Sequence, residues 1–323
     1  MRIIWAIDAF EDQQDLTLKM AQFIARIHEQ TEAEVEPVYL LRENEIILPT
    51  YEVPAWVMDH SKTAESMFQE ILKDLEMPFL LSPKVIPHSA QSHSGSADIL
   101  SNYATRTNAD LIVVGSHARE GMQRFLLGSF AESLLLQAAT PVCVITADST
   151  FQNKSQKILF PTEFGEHSKD NFHHTINLAR QLHAEVTLLH VITRPAESVF
   201  DVEARNQVYN YKGRMLSLDQ IIQEQTEAQS QRAHQWASWA TDQGVPTEVL
   251  IDQSYRPVDE VILHSARQSE VTLVMMEAQS GPMSAALLGS FTRNVIRKAH
   301  CPVYVITRHF YDQKEDRFME RAP

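Results

Sequence analysis

Cysteine is nearly absent from this chain of 323 residues, which holds only Cys143 and Cys301 at positions that do not correspond between its two halves. They read as small buried hydrophobes of a reducing compartment. Equally missing is any run of 18 or more apolar residues, so no membrane-spanning helix is expected. The N-terminus runs into an apolar strand pattern and reaches Asp8, Glu11 and Asp12 without a charged and then apolar leader. A cytoplasmic protein is the expectation. Basic clusters are lacking as well: 42 acidic side chains outnumber 28 basic ones, for a formal net charge of -14. Nucleic acid and anionic membrane surfaces draw affinity from cationic contacts, so neither is expected as a partner.

Common catalytic signatures are absent too. No GxxxxGKS/T loop, GxGxxG, GxSxG, HExxH or CxxC occurs. A P-loop ATPase, a dinucleotide dehydrogenase and a serine hydrolase are therefore without support, and no catalytic residue is expected. Fourteen histidines invite a metal site. Yet His167, His173, His174 and His183 lie near the ends of one helical pattern, and His88 and His93 flank a loop, with no ligand spacing among them. Neighbouring histidines on a helix point in different directions, so a solvated face is expected and no metal.

What is present begins with a 44% hydrophobic fraction, enough for ordinary cores. The most informative stretch runs from Gly115 to Thr146. Leu111-Ile112-Val113-Val114 is a short, β-branched apolar run that suits a strand buried on both faces. Gly115-Ser116-His117-Ala118 follows, then nine residues, then Gly128-Ser129-Phe130 opening a helix that ends near Ala139. A loop that leaves a buried strand and feeds backbone N–H groups into a helix start is a seat for phosphate, because dipole and free donors both favour an anion. A nucleotide is the first functional expectation.

This stretch is written twice. Shifted by 161 positions, Gly115 becomes Met276, Gly128-Ser129-Phe130 becomes Gly289-Ser290-Phe291, and Pro141-Val142 becomes Pro302-Val303, with no gap. The chain is a tandem repeat of two similar domains, which fits its length. The expected bounds are 1–146 for the first domain, 147–156 for a polar linker, 157–307 for the second domain and 308–323 for a charged tail.

In order, the first copy reads as a strand at Ile3 to Ile7, a helix over roughly 13–30, and a strand from Val35 to Leu41. A helix from Trp56 to Leu75, a short strand at Val85-Ile86 and a helix from Ala97 to Thr107 follow. The second copy opens with Ile158 to Glu163, continues with a helix capped by Ser168 and a strand at Val186 to Ile192, and carries a long insertion from Arg194 to Met215. Tyr209 and Tyr211 suggest that this insertion is a lid loop. One long helix from Leu216, a strand at Val249 to Ile251, a helix near Val258 to Ala266 and a strand at Leu273 to Met276 complete it. Strands alternating with helices argue for parallel, doubly wound α/β domains.

The order of strand, spaced glycine loop, Gly-Ser helix start and closing Pro-Val strand, found twice, resembles the tandem members of the universal stress protein family. The resemblance implies two five-stranded, doubly wound parallel-sheet domains of the adenine-nucleotide α-hydrolase-like kind. Their last strands, around Val142 to Ile145 and Val303 to Ile306, would pair as an intramolecular pseudo-dimer. It also implies a non-catalytic stress-response protein that binds ATP, with magnesium carried on the phosphates. Partners would be an adenine nucleotide and other proteins, and the chain would be a monomer as pseudo-dimer or a homodimer.

Carried over residue by residue, the resemblance places Asp8 toward the ribose and Leu40 in the adenine slot. Val114, Gly115 and the N–H groups of His117, Ala118 and Arg119 fall on one side of the phosphates, and Gly128, Ser129 and Phe130 on the other. Ala118 stands where the family has glycine; if that position needs a positive φ, the Cβ costs roughly 1–2 kcal/mol and weakens binding on the order of tenfold. Blander roles stay open: Asp8 as a turn residue, His117 as a hydrogen-bonded loop residue, Ser129 as an N-cap, Arg119 and Arg124 as partners of surface carboxylates. The second copy has Glu163 for Asp8, Met276 for Gly115 and Gln279 for Ala118, with Val191, Gly289, Ser290 and Phe291 completing it. Met276 is expected to fill phosphate space, which makes the second site degenerate, with Gly289 and Ser290 kept for capping and packing. The competing expectation is a scaffold for an apolar ligand or a protein partner, with Trp56, Tyr209, Met275 and Met276 lining its pocket.

Overall fold

The structure, a computed structural model, describes residues 1–7, 14–42, 60–116, 127–151, 156–165, 167–192, 208–278, 288–307 and 309–310. In chain order the elements are β1 (Arg2–Ala6), α1 (Gln14–Thr31), β2 (Glu34–Arg42), α2 (His60–Asp74), β3 (Lys84–His88), α3 (His93–Arg106), β4 (Leu111–Ser116), α4 (Ser129–Gln137) and β5 (Val142–Thr146). There follow β6 (Lys157–Pro161), α5 (Ser168–Gln181), β7 (Glu185–Val191), β8 (Val208–Tyr211), β9 (Arg214–Ser217), α6 (Leu218–Asp242), β10 (Thr247–Asp252) and α7 (Val258–Gln268). The last are β11 (Leu273–Glu277), α8 (Ser290–Lys298) and β12 (Val303–Ile306). The chain divides into two compact units, Met1–Lys154 with Thr272–Pro323, and Ser155–Val271.

In the first unit the strand order is β11-β12-β5-β4-β1-β2-β3. Every neighbouring pair in it is parallel except β12 with β5. The central strands lack alternation because both faces are covered: Ile3, Ile4 and Trp5 of β1 and Leu111 to Val114 of β4 are buried. From β1 the chain steps outward through β2 to β3, then returns to lay β4 on the other side of β1. That reversal puts a topological switch point between the carboxyl ends of β1 and β4, where open α/β sheets take ligands. Helix α1 packs on β2, β4 and β5 through Leu16, Met20, Phe23, Ile24 and Ile27, all buried, as their helical spacing predicts.

The opposite, amino-terminal end of this sheet carries a part-buried polar knot. Arg2 donates to Glu36 at 2.8 Å, the Tyr103 hydroxyl donates to the other Glu36 oxygen at 2.8 Å, and the Arg2 N–H donates to Asp110. Because a donor holds each of its two oxygens, the carboxylate can sit almost out of water.

In the second unit β10, β7 and β6 form a parallel run in that order, and β8 and β9 form a separate antiparallel hairpin. The hairpin corrects the expectation that the insertion's end is a lid loop; residues 193–207 lie outside the described residues. Lys212 and Gly213 turn it, with φ of 51° and 79°. Two consecutive positive values make a type I′ turn, whose twist matches a two-residue hairpin. Gly213 was the readable signal. Helix α6 then starts on a capping box, the Ser217 hydroxyl accepting from the Gln220 N–H and the Gln220 side chain accepting from the Ser217 N–H. A second correction concerns α5: Ser168 is its first helical residue, and His167 holds the N-cap position without a side-chain cap bond.

Burial, followed by the hydrogen bond to Glu36, pushes the Tyr103 phenol up from 10.0 to about 12. A group raised on folding contributes stability that is complete below its unfolded value and disappears as pH climbs through the folded one. Chemical unfolding followed from pH 9 to 12 should show a loss of stability beginning near 10 that is shallower in Tyr103→Phe. Parallel curves for the two proteins would refute this.

Candidate functional site

At the switch point, β1 ends at Ala6 and Ile7 follows, its N–H donating to Val38 of β2. Beside it β4 ends in Gly115 and Ser116. Ser116 is buried, and its hydroxyl accepts from the Gly128 N–H at 3.3 Å. This bond ties the start of α4 to the end of β4, so both ends of the glycine loop are fixed at the crevice. Gly128 is the N-cap of α4, at φ -55° and ψ 132°, with no side-chain cap bond. Ser129 is therefore the first helical residue and not the cap; it is exposed, while Phe130 is half-buried. Without a capping side chain, the first-turn N–H groups keep their donors for an anion. One carboxylate opposes this: Glu132 stands in the first turn of α4, but it is engaged in a salt bridge with Arg293.

Gly115 has a packing reason to be glycine. A Cβ built there would lie 2.8 Å from Leu16 Cδ2 and 3.3 Å from the Met20 sulfur. Helix α1 thus approaches β4 closely at this point, and the position faces the helix layer. Met276, the counterpart in β11, is buried. Leu40 is half-buried at the end of β2, Val114 is buried, and Val191 is half-buried at the end of β7. Asp8, His117, Ala118, Arg119, Arg124 and Gln279 lie outside the described residues.

The second repeat keeps the helix start and changes the rim. Gly289 caps α8 at φ -55° and ψ 143°, nearly the angles of Gly128, with Ser290 exposed and Phe291 exposed beside it. At the carboxyl ends of β6 and β7, however, stands an aromatic cluster that the sequence reading missed. Phe164, next to the exposed Glu163, adopts a left-handed backbone with φ 56° and is buried. Its N–H donates to the Thr162 hydroxyl, and its ring lies 4.9 Å from both His190 and Trp236. Phe172 stacks on Trp236 at 5.2 Å, and the Arg232 guanidinium sits 5.5 Å above Phe164. The left-handed backbone costs about 1–2 kcal/mol for a residue with a Cβ, an amount that aromatic contacts of this kind offset. A bulky aromatic directly after the strand-end acid was the available signal.

His190 donates from Nδ1 to the Thr162 carbonyl at 2.7 Å. Burial holds its imidazole below the usual 6.5, with that bond acting the other way. Among the described residues no group of three His, Cys, Asp or Glu is placed to hold a metal, and no helix is long and apolar enough to cross a membrane.

Comparison with known proteins adds to this geometry. The sequence pattern of the universal stress protein family matches residues 1–146 and again residues 154–307. A universal stress protein of Methanocaldococcus jannaschii is 28% identical over 137 residues, 42% of this chain and 77% of the relative. Among solved structures, a universal stress protein of Archaeoglobus fulgidus matches with a TM-score of 0.63 at 16% identity, covering 95% of this chain and 98% of the other. A putative universal stress protein of Pseudomonas aeruginosa matches at 0.59 and 16%, covering 97% and 96%. At such identities the likeness speaks for the fold.

Two outcomes follow from the site's packing. Gly115→Ala should cost roughly 1–3 kcal/mol through overpacking against Leu16. The double variant Gly115→Ala/Leu16→Ala should be less destabilised than the sum of its parts, a coupling that denaturant unfolding reads directly. For the aromatic cluster, a base depressed by burial gives stability that is complete above 6.5 and lost as pH falls below it. His173 is depressed in the same direction, by burial first and Lys169 second. Unfolding followed by tryptophan fluorescence should weaken below pH 6.5, and His173→Gln/His190→Gln should flatten that slope.

Proposed function

Because this chain belongs to the universal stress protein family, we propose that it is a non-catalytic, cytoplasmic stress-response protein whose first repeat binds ATP or another adenine nucleotide. Its second repeat has given up that role. The observation that supports this most is the Ser116–Gly128 bond, which seats an uncapped helix start at the switch point of a parallel sheet. In this reading Asp8 faces the ribose and Leu40 the base. Backbone N–H groups of His117 to Arg119 and of Gly128 to Phe130 would hold the phosphates, and magnesium would come with the nucleotide to offset their charge. Gly115 contributes backbone alone, since its missing side chain answers to α1. Ligand state would act outward through the 117–128 loop and through protein partners.

The second repeat's part in this reading rests on its aromatic rim. Phe164, His190 and Trp236 stand at the ends of β6 and β7, where the corresponding strands of the first repeat end without such a cluster among the described residues. The rival reading, a pocket for an apolar ligand, loses support because Met275 and Met276 are buried in β11. Trp56 lies outside the described residues. The cavity of about 600 Å³ between the hairpin and α6 is lined by Tyr211, Lys212, Glu224, Glu227 and Arg232 among others, a charged surface unsuited to apolar cargo.

Titration calorimetry with magnesium and ATP tests the proposal. Native protein should bind one equivalent. Gly128→Val should bind at least about tenfold more weakly, a loss of roughly 1.4 kcal/mol. The angles at Gly128 are open to a β-branched residue, so the variant should fold. Gly289→Val should leave the stoichiometry unchanged. No heat with folded native protein would end the nucleotide reading.

A further inference from the structure

The antiparallel pairing of β5 with β12 has a symmetry that the repeat offset makes visible. Val142 faces Val305, Cys143 faces Tyr304 and Val144 faces Val303. With an offset of 161, Tyr304 is the counterpart of Cys143, while Val303 and Val305 are the counterparts of Val142 and Val144. Each flanking contact is thus the mirror of the other, and the central residue meets its own equivalent. A local twofold axis through the Cys143–Tyr304 pair produces this pattern. A second pair obeys it. Glu132 of α4 and Arg293 of α8 are also 161 positions apart and form a salt bridge, with side chains 25% and 32% exposed.

A residue beside a twofold axis that relates identical copies must tolerate itself. Neither pair would. Two copies of the first repeat would set Glu132 against Glu132 and leave two small thiols where a phenol ring now fills the space. Two copies of the second would set Arg293 against Arg293 and drive two tyrosines into a position where Tyr304 is 2% exposed and Cys143 0%. The pairs present are acid with base and small with large. Charge and volume both separate the mixed pairing from either homotypic one.

We propose that Glu132–Arg293 and Cys143–Tyr304 form a pairing lock: they commit the β5–α4 face of the first repeat to the β12–α8 face of the second repeat of the same chain and close it to a second copy of the first. The Val142–Val305 and Val144–Val303 contacts supply adhesion without preference, since valine meets valine in every combination. The lock does not depend on whether the first repeat binds a nucleotide.

Two cycles on the full chain test it, read as thermal midpoints. Glu132→Arg and Arg293→Glu should each lower Tm by about 2–4 °C, the shift expected for loss of a modest interaction in a protein of this size. The double reversal should return to within about 1 °C of native. Cys143→Tyr and Tyr304→Cys should each lower Tm, and their combination should recover most of the loss. If one size variant does not fold, the charge cycle still decides. A double reversal that falls by the sum of its single variants would overturn the proposal. So would the appearance, after oxidation of the Cys301→Ala chain, of a covalent dimer joined through Cys143. The expected product is chain of monomer mass on a non-reducing gel.

Discussion

Burial of β4 on both faces is the constraint from which the rest of the first unit follows. A strand whose Leu111, Ile112, Val113 and Val114 are all withdrawn from water must satisfy its backbone through β1 and β5 and cover both surfaces with helices. The covering on one side is α1, and it comes so close at the strand's end that a Cβ at position 115 would lie 2.8 Å from Leu16 Cδ2. One residue later the chain must leave the sheet. Ser116 turns inward there and accepts from Gly128, returning the chain to open α4. The same packing that stabilises the sheet therefore fixes both ends of a backbone loop beside the switch point. A binding site on such a rim needs few dedicated side chains, because the sheet has already positioned its donors.

This view separates two roles that a glycine motif merges. Gly115 answers to a helix, whereas Gly128 caps a helix with angles that other residues can adopt. The second repeat preserves the second feature almost unchanged at Gly289 and abandons the first at Met276. What distinguishes the two rims lies elsewhere, in Phe164 and the rings around it. A left-handed phenylalanine is stable only where its surroundings determine it, and Thr162, His190, Trp236 and Arg232 do so. Among the described residues, an aromatic cluster at the carboxyl ends of the strands belongs to the second repeat.

The sequence announced this architecture where periodicity and burial agree. The spacing from Leu16 to Ile27 gave α1 within about a residue at each end, and unbroken β-branched runs gave β1, β4 and β5. Failures came where local chemistry outweighs periodicity. Tyr209 to Ser217 has too few buried positions to read as strand, and only the Lys212-Gly213 turn reveals the hairpin. Ser168 looks like a cap by composition, yet the turn at Gly165 accepts its N–H and draws it into the helix. Asp8 and the centre of the glycine loop, the residues on which the nucleotide reading leans hardest, fall outside the described residues. The Phe164 cluster was illegible because its members come from β6, α5, β7 and α6. Only the tertiary fold brings Phe164, Phe172, His190 and Trp236 together.

Fusion of the repeats explains why such asymmetry can exist at all. In an assembly of identical copies every substitution appears on both sides of a twofold axis, so a residue on the axis is limited to what it can face in itself. Within one chain the two sides are independent. An acid can then be answered by a base, as Glu132 is by Arg293, and a small side chain by a large one, as Cys143 is by Tyr304. The same independence lets the second rim fill with aromatic rings around Phe164. Specific pairing and unequal sites are thus two results of one covalent fact. A first repeat whose closing strand is committed to its neighbour in the chain is free to differ from it in what it binds.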